Sequence, residues 1–245
     1  MIQAQKEVEK MKKFKHFTAK NVGDYVVIDI HGDIVDTEES QNSMDVTPAY
    51  VGEFLTFAQG RRLEVNINSF GGDVNAGMAI YKMLSEYKNT VNVYIRGIAG
   101  SIASVIAMAG DNIYIADNGC IMIHRSWTNI EGNCHALKWA VEELDRLDNI
   151  IADVYMTKLR DKTKSKDDIM EMMTLETWIE ASQAIQLFEV NLINDFRAVA
   201  CVGDVSRYKN MPLRVKNMIE KEKKEAEEEK RLNFEKEKLK LMLEV

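Results

Sequence analysis

The sequence predicts an α/β fold of repeated strand–helix–strand units, followed by a charged helical extension. Three observations carry this expectation. Segments with strand character alternate with segments of helical periodicity through the body of the chain. No short-period repeat points to a solenoid. After residue 212 the composition turns to Glu and Lys, which dominate the stretch from Glu220 to Arg231. The chain therefore divides into a basic arm over 1–20, a body over 21–212 and a tail over 213–245.

The first strand is "DYVVIDIHGDI", where Val26, Val27, Ile28 and Ile30 precede a glycine. In "TPAYVGEFLTFAQG", Thr47 can cap a helix and Pro48 suits its first turn. Val51, Phe54, Leu55 and Ala58 then share one face. "RRLEVNINS" alternates Leu63, Val65 and Ile67 as a strand, and "NAGMAIYKMLSEY" reads as the next helix. "TVNVYIRG" is a strand, "SIASVIAMAG" a short apolar helix, and "NIYIAD" and "CIMIH" are two more strands. A long helix runs from about Cys134 to Leu159 with a stripe of Leu137, Val141, Leu144, Leu147 and Ile151. The tail favours helix through propensity and i,i+4 Glu/Lys pairs. Its only apolar residue between Glu220 and Arg231 is Ala226, so a solvated helix is expected rather than a coiled-coil seam.

Composition narrows the function. Hydrophobic residues at 46% and charged residues at 29% match a soluble globular protein. The arm holds six Lys against two Glu and the segment 214–245 ten basic against nine acidic residues, which leaves the body near −12 within a total of −7. Such a surface argues against general nucleic-acid binding, because phosphate contacts need basic charge. No apolar run reaches the roughly 18 residues of a membrane span, and the basic arm lacks an apolar signal core. No membrane partner and a cytoplasmic setting are expected. Cys120, Cys134 and Cys201 have no metal-ligand spacing and read as free thiols.

Three features carry candidate chemistry. Gly71 and Gly72 sit where a strand turns into a helix, a place where glycine lets backbone N–H groups approach a ligand or simply makes the turn. No phosphate-loop spacing follows them. Ser101 sits at the junction of "VNVYIRG" with "SIASVIAMAG", either as a helix cap or with its hydroxyl exposed beside the N–H of Ile102. His124 ends "CIMIH", as a structural histidine or as the base that a serine nucleophile requires. Ser104, within the helix, reads as packing. His31 sits at a plausible strand end, while His16 in the arm and His135 near a helix start have no partner motif.

In order, "INSFGGDVNAGMAIYKML", "GIAGSIASVIAMAG" and "MIH" resemble the Clp protease proteolytic subunit (ClpP) family over about residues 24–200. The wording looks most like the branch acting as phage head-maturation proteases. The resemblance implies the ClpP/crotonase-like fold and serine-type endopeptidase activity. It makes Ser101 the nucleophile, His124 the general base, and the N–H groups of Gly72 and Ile102 the oxyanion hole. In "LETWIEASQAIQLFEV" Glu176 matches the family's acid, with Asp195 and Asp153 as weaker candidates. Phe70 stands where the family usually has proline, and the glycine expected near Phe188 is absent.

The chemistry so implied needs no metal, nucleotide or other cofactor. Implied partners are further copies of the chain in a ring (a heptamer or a tetradecamer) and protein substrates such as capsid or scaffold. An AAA+ unfoldase would be a partner in a cellular role. If phage-encoded, the protein would work in the host cytoplasm or the immature capsid. Two alternatives share the fold: an enzyme that binds acyl-CoA, and a catalytically inert ring or scaffold protein.

Overall fold

The computed structural model describes residues 20–22, 24–36, 45–193, 208, 210–217 and 219–221, and the tail positions 224, 228, 231, 232 and 235. The arm 1–19 and Cys201 lie outside the described residues.

Eight strands form one mostly parallel sheet. β1 (Lys20–Val22) runs antiparallel to β2 (Tyr25–Ile34). Parallel pairing then continues through β3 (Arg62–Gly72), β4 (Val91–Gly100), β5 (Asn112–Ala116) and β8 (Val190–Ile193). Alternating Val and Ile send one side of each strand into the core: Ile28, Ile30, Val65, Ile67, Val93 and Ile95 are all buried.

Helices cover that face. α1 (Pro48–Ala58) starts as expected, with Thr47 Oγ1 accepting from the Tyr50 N–H and proline in the first turn. Its Val51, Phe54 and Ala58 are buried. α2 (Val74–Ser85) is capped by Asp73, whose carboxylate accepts from the Ala76 N–H at 2.7 Å. The short α3 (Ile102–Ala107) is buried at all six positions.

β4 is forked, and the fork places the site. Its first half, Asn92–Ile95, pairs with β5, while Ile98–Gly100 pairs with β6 (Cys120–Ile123). β6 in turn pairs antiparallel with β7 (Thr177–Glu180). Behind this fork lies a second apolar cluster of Phe70, Ile98, Cys120, Met122 and Trp178, joined by Tyr208, Met211, Val215 and Ile219 from near the C-terminus.

α4 (Cys134–Thr157) is the long predicted helix, with a different packed face. Leu137 and Val141 are exposed, while Ala140, Asp148, Ile151 and Tyr155 are buried. The stripe holds only in the C-terminal half, where the helix lies on the body. α5 (Lys166–Thr174) was not anticipated, although Ser165 and Asp168 form a capping box. α6 (Ala181–Leu187) ends at Phe188, whose φ of −115° suits any residue. Glycine is therefore dispensable there. Residues 213–217 and 219–221 are helical, and the described tail positions from Glu220 to Glu235 are exposed. Among the described residues no helix is long and apolar enough to cross a membrane.

Candidate active site

Ser101 is the residue at which β4 becomes α3. It has φ 52° and ψ −129°, backbone angles an L-residue rarely adopts, and such strain marks turns that present a side chain. The turn is held from three sides. The Ser101 N–H donates to the Met122 carbonyl at 2.8 Å, tying it to β6. Its carbonyl accepts from the Ser104 N–H at 2.9 Å and from Ser104 Oγ at 2.5 Å. Ser104 Oγ lies 2.7 Å from the buried Tyr155 hydroxyl, which must donate because the Ser104 proton is already committed.

The parallel register of β4 with β6 pairs Gly100 with Met122, so His124 emerges level with the Ser101 turn. His124 Nε2 and Ser101 Oγ are 2.7 Å apart. With the imidazole proton on Nδ1, Nε2 accepts from the hydroxyl. The chain after His124 is anchored by Asp148. Asp148 is 3% exposed, and its carboxylate accepts from the Ser126 N–H at 2.7 Å and pairs with Arg125 at 3.2 Å.

The glycine pair lies against the same turn. Gly71 and Gly72 have φ of 97° and 151°, and both line up against backbone that leaves no room for a side chain. A Cβ on Gly71 would stand 3.1 Å from the Ile102 nitrogen, and one on Gly72 2.0 Å from the Ile34 carbonyl oxygen. Ser69 sets this turn by donating to the Gly32 carbonyl at 2.5 Å and accepting from the Gly71 N–H at 3.1 Å. Gly72, Ser101, Ile102 and His124 all border one cleft of about 490 Å³, whose lining also includes Ile130, Leu144, Leu147 and Ile151.

Glu176 arrives by a different route. The antiparallel register of β6 with β7 pairs Ile123 with Thr177, so His124 and Glu176 stand across from each other where the strands end. They border a second cavity of about 410 Å³. Glu176 has φ 50°, and its Oε1 accepts from the Asn210 N–H at 2.9 Å and from Trp178 Nε1 at 3.3 Å. Ser101 and His124 are thus in direct contact, with Gly72 and Ile102 at their cleft. Glu176 shares the second cavity with the histidine, and its Oε1 is held by Trp178 and Asn210.

Of the weaker acids, Asp153 pairs on α4 with Lys166 at 2.7 Å, and Asp195 lies outside the described residues. Phe70, in place of proline, is 1% exposed and stacks on Tyr208 at 5.8 Å. Among the described residues no three His, Cys, Asp or Glu side chains converge as a metal site would require.

Ser69, Asp148, Tyr155 and Tyr208 were not foreseen. Asp148 offered a signal, being an acidic residue between Leu147 and Ile151 on a face that should be apolar. Tyr208 offered none, since only tertiary packing brings it near.

Comparison with known proteins agrees with this architecture. The sequence model of the family described as Clp protease matches residues 38–193. A relative from Deinococcus radiodurans, described as an ATP-dependent Clp protease proteolytic subunit, is 34% identical over 97 residues. That alignment covers 39% of this chain and 48% of the relative, so the chain spans about half the length of the curated relative it matches. The chain belongs to the Clp protease family.

Proposed function

We propose that the protein is a serine endopeptidase in which Ser101 is the nucleophile and His124 the general base. The 2.7 Å contact between Ser101 Oγ and His124 Nε2 is the observation that carries this reading. Ser101 Oγ attacks the scissile carbonyl as its proton passes to His124 Nε2, and the carbonyl oxygen becomes an oxyanion. The N–H groups of Gly72 and Ile102, beside the same cleft, stabilise that charge. Collapse of the intermediate expels the amine, which takes the proton from His124 and leaves an acyl-enzyme. Water, deprotonated by His124, then releases the acid and restores Ser101. Glu176 completes the triad by stabilising the imidazolium from across the strand ends. The apolar residues Ile130, Leu144, Leu147 and Ile151 in the cleft lining favour substrates with an apolar side chain next to the cleaved bond.

Two settings fit the family. Maturation of a phage head, acting on capsid or scaffold proteins, is supported by the wording of "GIAGSIASVIAMAGD" and "ETW". A cellular peptidase ring fed by an AAA+ unfoldase is supported by the Deinococcus relative, an ATP-dependent Clp protease proteolytic subunit. In either setting the chain would assemble into rings. A requirement for ATP and an unfoldase partner in degrading a folded substrate would separate the two.

The test of the chemistry is intact-protein mass spectrometry after exposure to a fluorophosphonate. Wild type should gain one adduct and Ser101→Ala none. An assembled wild type that gains no adduct would instead indicate an inert ring or scaffold protein.

A further inference from the structure

We propose that Tyr208 is a positioning residue for this site, and that it forms, with the described residues 210–217 and 219, a strap joining the glycine turn to the His124–Glu176 side. The inference rests on the serine-peptidase reading above. These residues lie beyond the span 38–193 that the family model matches, so nothing in that match assigns them a role.

Tyr208 makes contact with both halves of the site. Its hydroxyl donates to the Phe70 carbonyl at 2.7 Å, the peptide immediately before Gly71. Its ring stacks on Phe70 at 5.8 Å and stands edge-on to Trp178 at 5.8 Å and to His124 at 6.0 Å. The geometry on His124 and Trp178 is the edge-to-face arrangement that aromatic rings prefer. One side chain therefore holds the peptide that sets the direction of the Gly71–Gly72 turn and also limits the tilt of the imidazole.

The rest of the strap acts on the acid. The Asn210 N–H donates to Glu176 Oε1 at 2.9 Å, and its side-chain amide donates to the Leu175 carbonyl at 2.9 Å. Arg214 pairs with Glu180 at the end of β7 at 3.6 Å. Met211, Val215 and Ile219 are buried in the cluster behind the fork; Val215 and Ile219, four apart, set one helical face against it, and Met211 lies just before that helix. This apolar anchor holds Tyr208 and Asn210 in place. Hydroxyl–carbonyl and ring–ring contacts act on orientation rather than on substrate, so their loss should lower turnover more than binding.

The experiment uses full-length protein as wild type, Tyr208→Phe and Tyr208→Ala, checked for folding by circular dichroism and melting temperature. Hydrolysis of a fluorogenic peptide gives kcat and KM, and fluorophosphonate labelling gives the reactivity of Ser101. Tyr208→Phe, which loses only the hydroxyl bond, should lower kcat about 3- to 10-fold with KM within 2-fold. Tyr208→Ala should lower kcat and labelling by 30-fold or more, so that phenylalanine rescues most of the loss. A folded Tyr208→Ala with kcat within 2-fold of wild type would overturn the proposal, as would a loss confined to KM. If the alanine variant does not fold, an unchanged kcat in Tyr208→Phe overturns it alone.

Should wild type prove unreactive, the peptidase reading fails by itself. The inference is then read from the 13C-labelled His124 ring resonance, identified by its loss in His124→Gln. A Tyr208→Ala shift largely restored in Tyr208→Phe supports the positioning role, and no shift in the alanine variant overturns it.

Discussion

Gly71 lies so close to Ser101 that a Cβ at Gly71 would stand 2.8 Å from Ser101 Cβ and 2.7 Å from the Gly100 carbonyl oxygen. The Ser101 turn and the glycine turn are thus packed against each other. Gly71→Ala places a methyl in that contact and holds alanine at φ 97°, a conformation that costs on the order of 1–3 kcal/mol. The variant should fold with stability reduced by about that amount in urea titrations. Its fluorophosphonate labelling should slow by at least about 100-fold, because the turn moves relative to Ser101. Gly72→Ala should not fold, since its Cβ would meet the Ile34 carbonyl oxygen at 2.0 Å. A Gly71→Ala protein with unchanged labelling would show that the two turns are not coupled.

Strain at Ser101 predicts a trade between stability and activity. A serine at φ 52° and ψ −129° is held against its preference, and glycine enters that region freely. Ser101→Gly should abolish labelling while raising the melting temperature by roughly 2–6 °C, the equivalent of about 1–2 kcal/mol in a chain of this size. Ser101→Ala removes the hydroxyl but keeps the strain, and should melt near wild type. Differential scanning calorimetry on the three proteins decides the matter, and a glycine variant less stable than the alanine variant would contradict it.

Ser104 and Tyr155 form a buried relay behind Ser101. Tyr155 donates to Ser104, and Ser104 donates to the Ser101 carbonyl. Burial pushes the Tyr155 phenol well above its ordinary range, so it stays a donor at any working pH. Ser104→Ala strands the Tyr155 hydroxyl and should cost about 1–3 kcal/mol. Tyr155→Phe should cost about 1 kcal/mol by removing one neutral bond. The double variant should be less destabilised than the two costs added together, because the stranded group is gone. Strict additivity in a urea double-mutant cycle would rule out the relay.

Much of the fold was legible because its signals are local. Thr47 and Pro48 announced α1, and the alternation of Leu63, Val65 and Ile67 announced β3. The pairing of Ser101 with His124 was readable only through the order of three motifs, because no periodicity reveals that β4 forks to pair with β6. The stripe assigned to α4 failed at Leu137 and Val141. Period reports which residues share a face, and cannot report how far along a helix its neighbours extend. Tyr208 was beyond reach, since a single aromatic far from the motifs gains meaning only when packing sets it on Phe70 and His124.

The two described cysteines should differ sharply in reactivity. Cys120 is buried on β6, and burial pushes its thiol up to about 12, so almost no thiolate exists at neutral pH. Cys134 is exposed at the first position of α4. Brief treatment of native protein with iodoacetamide at pH 8 should modify Cys134 and spare Cys120, as read by peptide mass spectrometry. In urea both should react. Equal labelling of the two in native protein would mean that β6 opens readily.

His31 makes stability depend on pH in a definite direction. Its imidazole sits on β2, and Nε2 is buried with no hydrogen-bond partner among the described residues. Burial lowers its pKa below the ordinary 6.5; Arg96 adds to that effect and Asp29 opposes it. The unfolded chain therefore takes up a proton near pH 6.5 while the folded chain still resists it. Below that pH the unfolded state binds more protons, so this group removes stability as pH falls and has no effect well above 6.5. Urea titrations at pH 7.5 and 5.5 should show wild type losing more stability on acidification than His31→Gln, which cannot titrate. Carboxylates elsewhere contribute equally to both proteins and cancel in the difference. An identical loss in the two would mean that His31 takes up its proton as easily in the folded chain as in the unfolded one.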